Sequence, residues 1–184
     1  MRRFALSSRT ALAARPRVAS ARSGAVGPSL LRCASSTTPA AALRIIHVTD
    51  VYTLDNFPHL KTLIVEKREE FEKLQGPDAV TISVLTGDFL MPYLLSAIDK
   101  GRGMMKMLNR TPVDFLIWGN HEDNLSPADV FARERESQGT WLNTNMPTHE
   151  TMAESKCQAT HAWLTVGSKR IAMLGVTSHT SPKP

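Results

Sequence analysis

Short apolar segments alternate with helical segments along most of the chain, and this alternation constrains the fold more than any other feature. Residues 59–75 place apolar side chains at helical spacing, and Gly76-Pro77 ends that helix. Strands that alternate with helices in this way predict an α/β fold with a parallel sheet. Four segments have the length and composition of strands: residues 43–49, 79–85, 113–118 and 140–145.

The remaining elements complete this pattern. Gly101 and Gly103 separate two predicted short helices, in which methionines fill the core. Ser126-Pro127 predicts an N-cap and the first turn of a further helix that ends by Gly139. Residues 161–166 and 170–177 flank Gly167-Ser168-Lys169, which predicts a hairpin. We expect the sheet to be buried on both faces.

Charge is distributed unevenly along the sequence. Residues 1–44 contain eight arginines, no lysine and no acid, whereas all 17 Asp and Glu lie from Asp50 onward. Subtracting these 8 arginines from the 22 Lys and Arg leaves 14 bases against 17 acids, so residues 45–184 carry about −3 although the whole chain carries +5. The basic charge therefore gives no reason to expect nucleic-acid binding by the rest of the chain.

Residues 1–43 have the composition of an organelle transit peptide: they are rich in Arg, Ser and Ala and contain no acid. We expect this leader to be disordered, to direct the protein to mitochondria, with plastids as the alternative, and to be cleaved between Cys33 and Thr38. A basic tail that binds RNA or lipid is the other interpretation. No later segment has the ~18 to 20 apolar residues that span a bilayer, so we expect a soluble mature protein without a membrane partner.

Cysteine usage adds one constraint. Cys33 lies in the leader, which leaves Cys157 without a partner. We therefore expect neither an internal disulfide nor a cysteine-based metal site.

Polar loops follow three of the predicted strands at their carboxyl ends. These loops are Thr49-Asp50-Val51-Tyr52, Thr86-Gly87-Asp88 and Gly119-Asn120-His121-Glu122. One such loop would be an ordinary turn. The carboxyl ends of parallel strands, however, meet at one crevice. Carboxylate, amide oxygen and imidazole are groups that two divalent ions could share there.

The segments LTGDF, GNHE and HVTDVY resemble three signature blocks of calcineurin-like metallophosphoesterases, in particular the 5′-nucleotidase branch. The resemblance covers residues 43 to 178, and GNHE after an apolar strand is its most specific element. It implies a metallophosphoesterase-like layered sandwich that is incomplete at the C-terminus, with residues 44–184 as the N-terminal part of the domain. The implied substrate is a nucleotide or another small phosphoester, and the oligomeric state is left open.

The resemblance also implies roles for individual residues. Asp50 would bind a first metal, Asp88 would bridge two metals, and Asn120 would bind the second through its side-chain oxygen. His121 would be catalytic, beside the scissile phosphate. The expected cofactors are two divalent ions, among which Mn, Zn, Mg and Fe are not distinguished. Gly87 and Gly119 would permit close backbone approach, although both could be plain turn glycines.

Three departures from the family pattern affect the metal site. Tyr52 stands where the family has a histidine ligand, and His47 and His59 are candidate substitutes. Asn124 stands where a carboxylate usually orients the catalytic histidine, with Asp123 one residue earlier. Later Gly-His blocks are missing. The later histidines, which are His149, His161 and His179, each follow Thr or Ser instead.

These departures leave two hypotheses. The chain represents a metal-dependent phosphoester hydrolase of which it supplies part of the site, or it is a non-catalytic remnant of the same fold. The sequence therefore leads us to expect further domain beyond Pro184, or else a domain remnant. Two protein oxygens per ion predict that residues 44–184 alone bind Mn²⁺ weakly and hydrolyse a generic phosphoester no faster than an Asp88→Ala control.

Overall fold

A computed structural model describes residues 41–146 and 158–177 of the chain. Residues 1–40 of the predicted leader lie outside this part, as do both cysteines, His149 and His179. Strands and helices occur in the predicted order. They are β1 (Leu43–Val48), α1 (Phe57–Gln75), β2 (Val80–Thr86), α2 (Leu94–Asp99), α3 (Arg102–Leu108), β3 (Phe115–Ile117), α4 (Pro127–Glu136), β4 (Thr140–Leu142), β5 (Gln158–Ala159), β6 (Ala162–Val166) and β7 (Lys169–Met173).

The first five strands form one parallel sheet in the order β1-β2-β3-β4-β5. Helices connect β1 to β2, β2 to β3 and β3 to β4, which confirms the predicted α/β class. β5, of two residues, was not predicted. β6 and β7 pair antiparallel around Gly167, as the sequence predicts for a hairpin. In the part of the chain that the structure describes, no helix has the length and apolar character needed to cross a bilayer.

The main core lies on the sheet face that carries the helices. Leu85, Leu116 and Trp141 point from three neighbouring strands into it, since alternate residues of a strand share a face. The helices contribute Phe57, Ile64, Met104, Met105, Leu108 and Val130, all buried. The predicted role of the methionines as core residues is confirmed for Met104 and Met105.

The opposite face of the sheet is covered unevenly. Ile82 and Val84 of β2 are buried, but Ile45 of the edge strand β1 is 55% exposed. The prediction that the sheet is buried on both faces is therefore wrong for β1. The hairpin is tied to the end of β4, where Thr144 N donates to Gly175 O at 2.8 Å and Gly175 N donates to Thr144 Oγ1 at 3.0 Å.

Helix boundaries differ from the predicted ones at one glycine. Gly103 lies inside α3, whereas Lys100 and Gly101, with left-handed φ of 58° and 78°, separate α2 from α3. The predicted N-cap at Ser126 is confirmed, because its side chain accepts a hydrogen bond from Asp129 N at 3.2 Å.

A half-buried ion pair joins α1 to the sheet. Arg68 Nη2 donates to Asp114 Oδ2 at 2.5 Å, and the same oxygen accepts from Ser83 N in the middle of β2 at 2.7 Å. Ser83 itself is fully buried. Asp114 thus serves as an acceptor for one helix and one strand at the start of β3.

Asp114→Ala should lower the free energy of unfolding by roughly 1–2 kcal/mol, because Arg68 and Ser83 N lose a shared acceptor. Urea denaturation measures this change. The matched control is Glu69→Gln, whose ion pair with Lys73 is long (3.7 Å) and exposed; it should cost less than about 0.5 kcal/mol. Equal effects of the two substitutions would contradict the prediction.

Candidate metal centre

The three polar loops predicted from the sequence meet at the carboxyl edge of the sheet. They follow β1, β2 and β3, which are adjacent. Asp50 N donates to Gly87 O at 3.3 Å, and His121 N donates to Asp88 Oδ1 at 2.9 Å. The loop after β2 is therefore bonded to both of its neighbours. The structure brings the loops of Asp50, Asp88 and Asn120–His121 together, with Asn120 exposed and Asp88 and His121 half-buried.

Two glycines allow this close approach. A Cβ on Gly87 would overlap the Gly119 backbone, and a Cβ on Gly119 would lie 2.5 Å from Asp88 N. Gly87 also has a φ of 83°, in the left-handed region. Both positions need glycine for packing of backbone against backbone, which goes beyond the requirement of a plain turn.

Asp50 and Asp88 share an uncommon backbone conformation. Their φ values are 55° and 57°, which few residues other than glycine adopt. This conformation costs on the order of 1 kcal/mol per residue, somewhat less for Asp than for larger side chains. Strain of this kind concentrates at functional sites, where surrounding contacts maintain it.

Glu122 holds the β2 and β3 loops in place, and sequence reasoning gave this residue no role. Its side chain is fully buried. Oε1 accepts from Phe89 N and Leu90 N, and Oε2 accepts from Asp88 N and Gly119 N, at 2.7–3.0 Å. Burial raises the pKa of the Glu122 carboxyl, and the four backbone hydrogen bonds oppose that rise. The sequence feature that could have indicated this role is the position of Glu122 in the GNHE segment.

His121 is oriented by Asn124. Its Nδ1 lies 2.8 Å from Asn124 Oδ1, on the 3-10 turn Glu122–Asn124. Because an amide oxygen can only accept, Nδ1 carries the proton and Nε2 is the ring atom that can exchange a proton with a ligand. Asn124 therefore contacts the imidazole from the position where the resemblance expects a carboxylate, and Asp123 beside it is exposed.

Tyr52 contacts Asp50 directly. Its hydroxyl donates to Asp50 Oδ1 at 2.7 Å, and Thr49 Oγ1 donates to Asp50 Oδ2, also at 2.7 Å. The bonds from Thr49 and Tyr52 lower the pKa of Asp50. The bond to Asp50 in turn raises the pKa of Tyr52 to about 12. The Tyr52 ring meets the His121 ring edge-on, with centroids 6.1 Å apart.

The other described histidines have separate surroundings. His47 Nε2 lies 2.6 Å from Thr86 Oγ1, His59 is exposed on α1, and His161 contacts Thr160 and Trp163 at the start of the hairpin. Among residues 41–146 and 158–177, no three His, Cys, Asp or Glu side chains form a group that could hold a metal ion. The donors that the loops offer are therefore mainly oxygens, from Asp50, Asp88 and Asn120.

A cavity of about 880 Å³ lies on one side of these loops. Asp50 and Tyr52 line it together with residues of α1, including His59 and Glu66, whereas Asp88, Asn120 and His121 are not among its lining residues. The cavity therefore adjoins the β1 side of the candidate site and not the imidazole.

Glu122→Ala should lower the free energy of unfolding by about 3 kcal/mol or more, because four buried N–H groups lose their acceptors together. Glu122→Gln should recover part of that loss, since one oxygen remains while the new amide group faces two N–H donors. Urea denaturation, with Glu69→Gln as the control, tests this. Stability of Glu122→Ala within about 0.5 kcal/mol of the parent would refute the assigned role.

Alkaline titration tests the contact between Tyr52 and Asp50. Tyr93→Phe leaves Tyr52 as the single tyrosine. Its tyrosinate absorbance should then appear with a midpoint near the pKa of about 12, because a neighbouring carboxylate disfavours the phenolate. Adding Asp50→Asn should move the midpoint down toward 10.0. An unchanged midpoint, with circular dichroism showing a folded chain, would rule out the contact.

Comparisons with known proteins agree with this architecture. No family model matches the sequence, and no curated protein matches it either. Solved structures do match its fold. A 5′-nucleotidase precursor from Thermus thermophilus aligns with a TM-score of 0.55 at 16% identity over 74% of this chain and 28% of its own. A candidate 5′-nucleotidase from Staphylococcus aureus aligns with a TM-score of 0.57 at 18% identity over 73% of this chain and 28% of its own.

A third solved structure belongs to a different enzyme. The sulfate thiohydrolase SoxB from Thermus thermophilus aligns with a TM-score of 0.53 at 20% identity over 64% of this chain and 21% of its own. This chain therefore spans less than a third of the length of each of the three proteins. Identities this low show the fold alone. The predicted α/β fold is confirmed, and the chain has the fold found in part of two proteins described as 5′-nucleotidases and of SoxB.

Proposed function

We propose that this chain supplies the N-terminal part of the active site of a metal-dependent phosphoester hydrolase of the 5′-nucleotidase type. One observation carries the proposal. The Asp88 carboxylate and the Asn120–His121 loop are held together at the carboxyl edge of a parallel sheet by the His121 N to Asp88 Oδ1 bond. Ligands bind at such edges, and the fold is shared with proteins described as 5′-nucleotidases.

The donor set fits a hard divalent cation. Asp88 offers a carboxylate and Asn120 an amide oxygen, the ligands that Mg²⁺ and Mn²⁺ prefer. Asp50 is the further oxygen donor that the resemblance assigns. A cation held by Asp88 and Asn120 would supply positive charge to the non-bridging oxygens of a phosphoester. Phosphoester chemistry needs such charge, because most catalysis of this reaction is positioning and electrostatic stabilisation.

His121 supplies the proton chemistry. With Nδ1 held by Asn124 Oδ1, Nε2 is the atom that donates to a phosphate oxygen or protonates the leaving alkoxide when the ring is an imidazolium. The bond from His121 N to Asp88 Oδ1 holds the His121 backbone beside the carboxylate. Asn124 orients the ring but, being neutral, stabilises the imidazolium less than a carboxylate would.

The substrate class follows from this chemistry and from the neighbours' descriptions. A cationic centre with a proton donor beside it suits a phosphomonoester, and two of the matched structures are described as 5′-nucleotidases. We therefore propose a nucleotide or a comparable small phosphoester as the substrate.

A non-catalytic domain of the same fold is the second candidate, and the geometry around Asp50 favours it. Both Asp50 oxygens accept hydrogen bonds from neighbouring hydroxyls. In the described ranges, moreover, there is no group of three His, Cys, Asp or Glu side chains suited to a metal. A domain with this site would bind a cation weakly and would act through a partner.

The test is a titration of the whole chain with Mg²⁺ and then AMP, followed by the NMR signals of the His121 ring. We expect Mg²⁺ to bind with a Kd on the order of 1 mM, as for sites with few protein ligands, and AMP to shift the His121 signals only when Mg²⁺ is present. Asp88→Asn should abolish both responses, and Glu69→Gln should leave them unchanged. No Asp88-dependent response would refute the proposal and support the non-catalytic candidate.

Hydrolysis provides a second measurement. From the small number of protein ligands we expect phosphate release by this chain alone to be no faster than that of Asp88→Ala. Rapid metal-dependent release that Asp88→Ala or His121→Ala abolishes would establish hydrolase activity directly. It would also refute the inference that this chain has too few protein ligands for catalysis.

A further inference from the structure

We propose that the site takes a single divalent cation, at Asp88 and Asn120, and that the Tyr52 hydroxyl occupies the position beside Asp50 that a second cation would need. This inference rests on the proposed function, for which the family resemblance implies two cations. It concerns the residues of this chain only. The observations that carry it are the contacts of Asp50, the position of Tyr52 and the different environment of Asp88.

The Asp50 carboxylate is already engaged on both oxygens. Tyr52 and Thr49 each place a hydroxyl hydrogen on it at a heavy-atom distance of 2.7 Å. Thr49 Oγ1 also lies 3.3 Å from Thr86 O, and Asp50 N is bonded to Gly87 O, so this arrangement is attached to β2. Each Asp50 oxygen accepts one hydroxyl hydrogen, and a cation that approached Oδ1 from the side of Tyr52 would have to displace the phenol hydroxyl.

The Tyr52 side chain reaches from the loop after β1 to the loop after β3. Its hydroxyl contacts Asp50, while its ring meets the His121 ring at 86°. The phenol thus contacts a residue of each loop. A phenol is a poorer ligand for a divalent cation than the imidazole that the resemblance expects at this position.

Asp88 has a different environment. Its Oδ1 accepts a backbone N–H from His121, so its carboxylate is tied to the loop that carries Asn120. Its backbone is fixed by the bond from Asp88 N to Glu122 Oε2 at 2.9 Å. Hydrogen bonds therefore hold the Asp88 backbone and one of its carboxylate oxygens against the loop that carries Asn120, whereas both Asp50 oxygens accept bonds from hydroxyl groups.

Electron paramagnetic resonance of Mn²⁺ with the whole chain tests this inference through stoichiometry, independently of activity. We expect one Mn²⁺ per chain at saturation. Asp50→Asn should leave the affinity within about twofold, and Asp88→Asn should weaken it at least about tenfold, since one protein ligand is lost. Tyr93→Phe, the control at the other tyrosine, should match the parent.

Tyr52→His supplies the complementary result. It replaces the phenol by an imidazole and leaves Asp50 with one hydroxyl donor, so we expect a second Mn²⁺ per chain and a spin-coupled signal. Adding Asp50→Asn to Tyr52→His should remove that second ion. Circular dichroism of each variant checks the fold, and Tyr52→Phe, which also removes the hydroxyl, replaces Tyr52→His if the latter does not fold.

The outcomes separate the two proposals. Two Mn²⁺ ions on the parent chain, one of them lost in Asp50→Asn, would overturn the single-cation inference and leave the proposed function intact. A second ion absent from the folded Tyr52→His and Tyr52→Phe variants would also overturn it. Absence of any Asp88-dependent Mn²⁺ binding would overturn both.

Discussion

The buried carboxylate of Glu122 is the interaction on which the candidate site depends. Its two oxygens collect four backbone N–H groups from the loops after β2 and β3, at Asp88, Phe89, Leu90 and Gly119. Burying a carboxylate is costly unless hydrogen bonds replace its water. Four donors offset that cost here, and the same hydrogen bonds fix the conformation of both loops. The positions of Asp88 and of the Asn120–His121 loop follow from it.

The strain in the same loops is a consequence of that arrangement. Gly87 and Gly119 pack backbone against backbone, so the chain must turn sharply at Asp88, which takes a left-handed φ of 57°. Asp50 adopts nearly the same φ, 55°, after β1. Such conformations persist only when surrounding contacts determine them. Glu122 provides those contacts for Asp88, whereas Thr49, Tyr52 and Gly87 provide them for Asp50.

Much of the fold was predictable because buried apolar residues recur at regular spacing in the sequence. The alternation of apolar segments located β1, β2, α1 and the hairpin, and the carboxyl ends of the strands located the loops. Two kinds of feature were not predictable. The exposure of Ile45 depends on what lies against β1, which the strand itself does not encode. The bonds from Glu122 reach residues 32–34 positions away in the chain, and periodicity carries no information about such partners.

Two departures from the family pattern have the same effect, because each places a neutral side chain at the site. Tyr52 provides a neutral phenol where the resemblance expects imidazole, and Asn124 provides a neutral amide where it expects a carboxylate. Asn124 still reaches His121 Nδ1 at 2.8 Å, so orientation of the ring is kept while the negative charge beside it is lost. Tyr52 likewise keeps a polar contact to Asp50. In this site hydroxyl groups donate to one carboxylate, and one negative charge fewer lies near the imidazole. The site therefore attracts cations less strongly. Its charge is balanced better by a single weakly held cation than by two.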